Sequence, residues 1–597
     1  MEKKRFPFSQ NSILALFMVI VLFVFAGFSF DFYYDLNDDV LIKDILSGVY
    51  TGMPDAHNIQ MLYPLSLIIS LLYRMIPGLA WHGIFLCVCH GVCFYLIAKR
   101  SISFVENTWA KVGLLVTESA IVLTLFMWEL VVVQYTITSA LLAACACFLV
   151  FTSEKRDSLP LFLKAQWVPV LLVVLAFNIR SEMLLLMSPF IAFTGIIKWS
   201  EEKQVFHKET IQKYVGLIAV IVFGLGASLL VDFIAYSGSE WKEFRDFFNA
   251  RTKVYDYTWY PSYEEAKEFY QGMGATSAQI ALIDNYNFGM DESIDAEFLW
   301  DIASYAEENN VKIPLIERIK TAIVEYEWRT FHEQDAPYNY FVIAAYAMVV
   351  LLALIHGDIT AGWKLPFMMV FRTIPWMYVI LAKRVPPRIS HPLYYIELVI
   401  LCAWMLTYCG RMNETDGEQE GRYNNEKVCR VVLIGCVLAF LLLSLVKLPG
   451  MWRKTLVEME RRETVNSLMQ EFDIYAKEHP QNYYYMDVYS TVAFSEKMFE
   501  RVDNNQKNYD ILGGWLSGSP LQRQATVGYH NDKLSRAELL LQDNFFFVCE
   551  EDADIAFLEE FYGTQGITIA LQETDRIQAI DNAFLVYQIH VIGTALD

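Results

Sequence analysis

The feature that most limits the fold is the run from Phe6 to Phe30, which carries no charged residue. A helix crossing a bilayer core needs about 20 consecutive apolar residues, and inside that core every backbone N–H and C=O must be bonded within the protein. The run therefore predicts a membrane-spanning helix. Lys3, Lys4 and Arg5 precede it. Because cytoplasmic ends collect Lys and Arg, the N-terminus is expected in the cytoplasm and the polar stretch Asp31–His57 on the outer face. No small-residue cleavage site follows, so the run reads as retained and not as a signal peptide.

The same reasoning predicts about eleven crossings along the chain. After Phe6 to Phe30 come Ala80 to Ala98, Val112 to Trp128 and Leu130 to Phe151, the last two meeting at Glu129 on the outer side. Gln166 to Lys198 has basic flanks and two apolar halves, so it reads as a hairpin with Arg180 and Glu182 at its outer tip. Tyr214 to Val231, Tyr338 to Ile355, Leu365 to Leu381, Pro392 to Tyr408 and Val431 to Val446 complete the set, with Arg411 to Lys427 as a cytoplasmic loop. Met61 to Leu72 is too short to cross comfortably and reads as re-entrant or interfacial. Val40 to Tyr50 reads as a short amphipathic helix closed by Gly48.

The expected fold class is a polytopic α-helical membrane protein with soluble additions. Residues 1–236 form an N-terminal transmembrane module with an acidic first external loop, and 237–337 an external, mainly helical insertion. Residues 338–448 form a second transmembrane module, and 449–597 an external α/β domain. In this tail, Trp452 to His479 is a charged helical stretch and Asp554 to Tyr562 a second helix; Tyr483 to Val488, Phe545 to Val548, Ile567 to Leu571 and Phe584 to Ile589 read as strands. The chain is 55% apolar with a formal net charge of -21, and acid dominates the insertion and the tail. Nucleic-acid binding wants the opposite sign. All cysteines but Cys549 lie in or beside apolar runs, where cysteine behaves as a small buried hydrophobe. The soluble parts thus hold one thiol and no internal disulfide.

Ionisable residues converge at one depth on the outer side: Asp38, Asp39, Glu129, Arg180, Glu182, Asp232, Arg384, Arg388 and His391. Charges beside spans are costly and tend to line cavities or pathways. The Asp38–Asp39 pair could hold a divalent cation such as Mg or Mn, act as a general base, or cap the helix that follows. Arg384 and Arg388 flank a Pro-Pro turn, where guanidinium forks suit phosphate oxygens or lipid headgroups. Arg180 and Glu182 could pair with each other. Mid-span Arg372 needs a partner, and Glu397 or Glu118 would serve. His57 and His391 read as hydrogen-bonded interface residues, since no second histidine stands at metal spacing.

This combination resembles the GT-C superfamily of membrane glycosyltransferases, which take a sugar from a polyprenyl-phosphate or polyprenyl-diphosphate carrier. Asn37-Asp38-Asp39 matches its acidic motif after the first span, and Met61 to Leu72 its interfacial helix. The large loop between later spans and the soluble C-terminal domain also have counterparts. The resemblance implies inverting transfer to a glycan, lipid or protein acceptor at the outer face of a bacterial-type plasma membrane, with the protein also contacting membrane lipids. Asp38 or Asp39 would take the acceptor's proton or orient it through a metal ion. Arg384 and Arg388, with Arg180, would stabilise the leaving phosphate. Tyr255, Tyr257, Trp259 and Tyr260 would stack on sugars or form core, Asn249, Arg251 and Asp256 would bind hydroxyls, and His57 and Glu129 join them as substrate contacts. A Trp-Trp-Asp-type acceptor motif is absent, Gly513-Gly514-Trp515-Leu516 being the nearest match, so transfer to asparagine is not expected.

Two rival functions use similar parts. A transporter or flippase would line its path with mixed charges, but it should show repeated halves and charges deep in several spans. Here no repeat is found, and the deep charges are Glu118, Arg372 and Glu397. A surface-polysaccharide polymerase or ligase would also set outward arginines against lipid-linked sugars.

Overall fold

A computed structural model describes residues 9–310, 313–413, 420–527, 529 and 534–594. Lys3, Lys4 and Arg5, and residues 414–419 of the expected cytoplasmic loop, lie outside the described residues. Among those described, nine helices are long and apolar enough to cross a membrane, and Leu159–Ala165 with Trp167–Ile179 makes a further pair bent by 54°. Tyr135–Phe151, an apolar helix of 17 residues, is shorter than these. This helix is the centre of the bundle. It is buried along nearly its whole length between Trp81–Ser101, Trp167–Ile179, Ser181–Ser200 and Pro387–Asn413. Ala140, Ala143, Ala144, Cys145, Ala146 and Cys147 let these backbones approach closely, the usual basis of helix packing where lipid supplies no hydrophobic drive.

The two ends of the bundle differ in chemistry. At one end Lys213 pairs with Glu202 at 2.6 Å, and Lys364 and Lys198 converge on Glu201 at 3.1 and 3.5 Å. At the other end sit the acidic first loop, the insertion and the tail. The helix Tyr63–Met75, with Leu65, Ile69 and Tyr73 buried and Ile68, Leu71 and Met75 exposed, lies at this end. Its length and its second apolar face fit the interface position expected for Met61 to Leu72.

The tail and the insertion share one core. Five strands, β3 (Tyr483–Met486), β4 (Tyr509–Ile511), β5 (Phe545–Glu550), β6 (Ile567–Gln578) and β7 (Ala583–Thr594), form a sheet in the order β4-β3-β5-β7-β6. β3 is parallel to both neighbours, and β7 runs antiparallel to both of its own. Tyr483 and Tyr485 face the insertion residues Tyr270, Ile283 and Phe288, while Tyr484 and Met486 face Phe472. A strand covered on both faces reads as an unbroken apolar run, which is why Tyr483 to Val488 was recognisable. β4 is short and paired on one side, and its sequence carried no strand signal.

Two expectations change. The last span and the charged stretch from Trp452 form one helix, Glu420–Glu478 of 59 residues, so the boundary expected at 448 falls inside a continuous element. Leu130 to Phe151 is not one helix. The chain there makes a short helix Met127–Val131, then β2 (Val132–Val133), and begins its span only at Tyr135. β2 pairs in parallel with β1 (Tyr33–Tyr34) of the first loop, Tyr33 opposite Val132 and Tyr34 opposite Val133. Glu129 therefore lies buried, 1% exposed, instead of at an open outer turn.

Candidate functional site

The β1–β2 pair brings the acidic loop to the head of the central helix. Asp35 N–H donates to Val133 O at 3.0 Å, and one turn later Tyr135 N–H donates to Asp39 Oδ1 at 3.2 Å. The helix Asn37–Ser47 begins with Leu36 as its cap, and no side chain caps it. Asp38 and Asp39 stand in its first turn, where the positive end of the helix dipole favours carboxylates. The capping role open to them in the sequence is thus unused. Gly48 ends the helix at φ 89°, with an added Cβ lying 2.6 Å from Met53 C and Pro54 N, so only glycine makes this turn.

The three carboxylates differ. Asp39 is fully buried, and its Oδ2 has no hydrogen-bond partner among the described residues. Burial first, then the neighbouring Asp35 charge, hold its pKa well above the usual carboxylate range, against the Tyr135 hydrogen bond and Arg388. Asp35 pairs with Arg462 Nη2 at 3.0 Å; burial raises its pKa, while Arg462 and Arg388 pull the other way. Asp38 is half-buried and makes no hydrogen bond or ion pair to another described residue.

Cations face these acids. Arg180, at the hinge between Trp167–Ile179 and Ser181–Ser200, pairs with Glu182 at 3.1 Å, donates to Gln60 and lies 5.4 Å from the Tyr135 ring centre. Its charge and that of Asp38 act on each other. Arg388 is half-buried, near enough for its charge to act on Asp35 and Asp39, and it bonds to no other described residue. Arg384 pairs with Asp256 at 3.2 Å and lies 5.1 Å from the Tyr257 ring centre. Beside it, Glu325, Arg329, Lys383, Arg384, Val385 and Pro386 line a polar cavity of about 520 Å³.

Other expected site residues lie at the edges. Glu129 holds His391 Nδ1 at 2.7 Å and accepts from Tyr338 at 3.4 Å. His57 is in a separate aromatic cluster, stacked on Trp241 at 5.1 Å and edge-on to Tyr236, with Asp55 2.6 Å from its Nδ1. Arg251 lies against Tyr255 and Tyr286 at 5.5 and 5.9 Å. Of the four candidate stacking rings, Tyr255 stacks inside the insertion on Tyr286 and Tyr260 bonds Asp284, while Tyr257 and Trp259 are exposed at 56% and 69%. Arg372 pairs with Glu397 at 2.9 Å, fully buried, as a mid-span arginine requires.

A second, apolar cavity of about 750 Å³ runs between the helices and is lined by Leu125, Phe126, Phe148, Tyr395 and Leu398, with Glu118 at one wall. Phe126 and Tyr395 place its upper end beside Tyr338 and His391. Its size and lining suit one chain-like apolar ligand.

Among the described residues no three His, Cys, Asp or Glu groups converge as a metal-holding set, at Asp38 and Asp39 or elsewhere.

No protein-family model matches this chain, and no curated protein does. A crystal structure of ArnT from Cupriavidus metallidurans bound to undecaprenyl phosphate aligns over 96% of this chain and 97% of that one, at 10% identity and a TM-score of 0.37. A likeness at that level does not bear on the chemistry of the site.

Sequence reasoning overlooked Arg462, Gln60 and Tyr135. Arg462 lies in a stretch of mixed charge that reads as a solvated face, and Tyr135 lies in an apolar run. Asp35 was within reach, because it stands four residues before Asp39 in the same acidic loop.

Proposed function

We propose that this protein transfers a sugar from a polyprenyl-phosphate carrier to an acceptor hydroxyl at the outer face of a bacterial-type plasma membrane. The observation that carries the reading is a pair of opposite charges left unbonded at one site, Asp38 on the first-loop helix and Arg388 above the bundle. Groups of this kind beside a membrane span are costly unless a ligand completes them. A phosphate oxygen would complete Arg388, with Arg180 and Arg384 within the same basic rim. The acceptor hydroxyl would complete Asp38.

In this scheme the carrier's tail lies along the apolar cavity and its phosphate meets Arg388. The acceptor approaches from the first-loop side, and the carboxylates take its proton as the new bond to the anomeric carbon forms. Attack from the side opposite the phosphate inverts the configuration. Asp38 is the reachable carboxylate; Asp39, buried behind it, is the stronger base once ionised. Growing charge on the departing phosphate is met by fixed guanidinium groups in a low-dielectric site, where such stabilisation is most effective. Exposed Tyr257 and Trp259 present ring faces beside Arg384. The basic residues at the opposite end favour the cytoplasm there, which turns the site outward.

A transport path fits less well, because the deep Arg372–Glu397 pair is closed by Tyr326 and Tyr346. The test is sugar transfer from a panel of polyprenyl-phosphate hexoses by the full chain in nanodiscs. Asp38→Asn and Asp39→Asn variants that fold should lose it, and retained transfer in both would remove the assignment.

A further inference from the structure

His391 stands one turn along its helix from Arg388, the residue proposed to meet the carrier phosphate. Its Nδ1 is tied to Glu129 at 2.7 Å, and its ring lies 4.0 Å from that of Tyr338 and 6.4 Å from that of Tyr395. Nε2 makes no hydrogen bond to a described residue and is not among the buried unpaired atoms, and the side chain is 14% exposed. A carboxylate on one ring nitrogen fixes the orientation of the imidazole and leaves the other nitrogen to work outward. Burying Glu129 merely to pack this corner would be a poor solution, since well-packed apolar residues are usually as stable as a buried ion pair.

Charged groups approach this corner from several elements. Glu129 comes from the Met127–Val131 helix, Asp35 from the first loop feels the Glu129 charge, and Asp335 acts on the region through Tyr338. Tyr338 and Tyr395 are neutral neighbours, and Arg388 is the opposing cation on the same helix. Asp35 is paired with Arg462 and Asp335 with Arg329, which leaves Glu129 as the carboxylate that holds the imidazole.

We infer that His391 is a phosphate-binding residue, held by Glu129 so that protonated Nε2 donates to an oxygen of the carrier phosphate engaged by Arg388. The inference rests on the reading of this site as one for a lipid-linked phosphate, and it makes affinity for that phosphate depend on pH through a group of the protein. Charge-assisted donors are roughly twice as strong as neutral ones.

Binding of farnesyl phosphate to the full chain in nanodiscs tests this without knowledge of the sugar. The dissociation constant is measured by calorimetry at a series of pH values from acidic to alkaline. Because a phosphate monoester itself takes up a proton near about pH 6, the reading is the difference between variant and wild type at each pH. His391→Gln should bind about tenfold more weakly at the acid end and converge with wild type at the alkaline end. Glu129→Gln, which no longer holds the ring as an ion pair, should also bind more weakly than wild type at the acid end, which keeps the test open where His391→Gln fails to fold. A His391→Gln or Glu129→Gln profile that superimposes on wild type overturns the inference. Absence of farnesyl phosphate binding in the wild type overturns the functional reading itself, and the two failures are therefore distinct.

Discussion

Arg462 offers the sharpest test of how the site is held. From the long helix, Nη1 donates to Tyr34 O, Asp35 O and Ser495 Oγ, each at 2.9 Å, while Nη2 reaches Asp35 Oδ1 at 3.0 Å and Nε reaches Glu458 at 2.7 Å. The guanidinium side chain is 5% exposed and Asp35 20%, so water cannot take over these bonds. Arg462→Met keeps the stem and much of the volume but strands the Asp35 carboxylate and two carbonyls. Removing one partner of a buried pair costs about 3–5 kcal/mol. The assay is equilibrium unfolding in mixed micelles, followed by tryptophan fluorescence. Adding Asp35→Asn to Arg462→Met should recover part of the loss, because no uncompensated charge then remains. The deficit should also shrink in acid. Burial already raises the Asp35 pKa against the pull of Arg462 and Arg388, so without Arg462 the folded state keeps the proton to higher pH, and the cost appears only above that point. A single variant within about 0.5 kcal/mol of wild type, or a double variant worse than the single, would refute this account.

Other perturbations separate chemistry from architecture. Asp39 ionises above the usual carboxylate range, mainly through burial; wild-type sugar transfer should therefore fall as pH drops through a point above about 3.9, and Asp39→Asn should lose transfer at every pH. Because ionising a buried carboxyl costs folding energy as pH rises, the same variant should be more stable than wild type in alkaline unfolding experiments; equal stability at all pH would count against the shift. Arg388→Ala should weaken farnesyl phosphate binding by about 2 kcal/mol yet move the unfolding midpoint little, since Arg388 bonds no other described residue; a large drop in stability instead would make it structural. Gly48→Ala should destabilise by more than about 1 kcal/mol, because its Cβ meets backbone atoms of Met53 and Pro54; a neutral outcome in thermal unfolding would show that the turn can relax.

Membrane spans and two ion pairs were legible because each follows from a local rule. Apolar blocks of bilayer length declare crossings, and an arginine inside one, Arg372, must find an acid, which proved to be Glu397. Arg180 and Glu182 share a hinge and pair across it. The convergence of Asp39 with Tyr135, and of Asp35 with Arg462, was not legible, because it depends on a two-residue strand pair and on contacts across more than four hundred residues. Hydropathy ran Leu130 to Phe151 together as one helix, since Val132 and Val133 suit a strand and a span equally. The break matters because it drops the backbone N–H of Tyr135 to the level of the acids.

The placement of the acidic helix also explains what the tail contributes. Lys43 and Asp44, on the face of Asn37–Ser47 that turns towards the sheet, meet Glu496 and Lys507, with Lys507 2.8 Å from Asp44 and 3.3 Å from Glu496. Tyr50 donates to Asp510 at 3.0 Å, and Trp515 and Leu516 pack with Ile45 and Tyr50. Trp515 and Leu516, in the nearest sequence match to an acceptor motif, thus serve as a packing surface for the helix that carries Asp38 and Asp39. Alternating charges in a closed set hold a helix in one rotation, because a turn about its axis would leave a buried charge without its partner. A short amphipathic helix at a membrane surface has no such constraint of its own. The α/β domain therefore sets the rotation of the acidic helix, and with it which carboxylate faces the cleft.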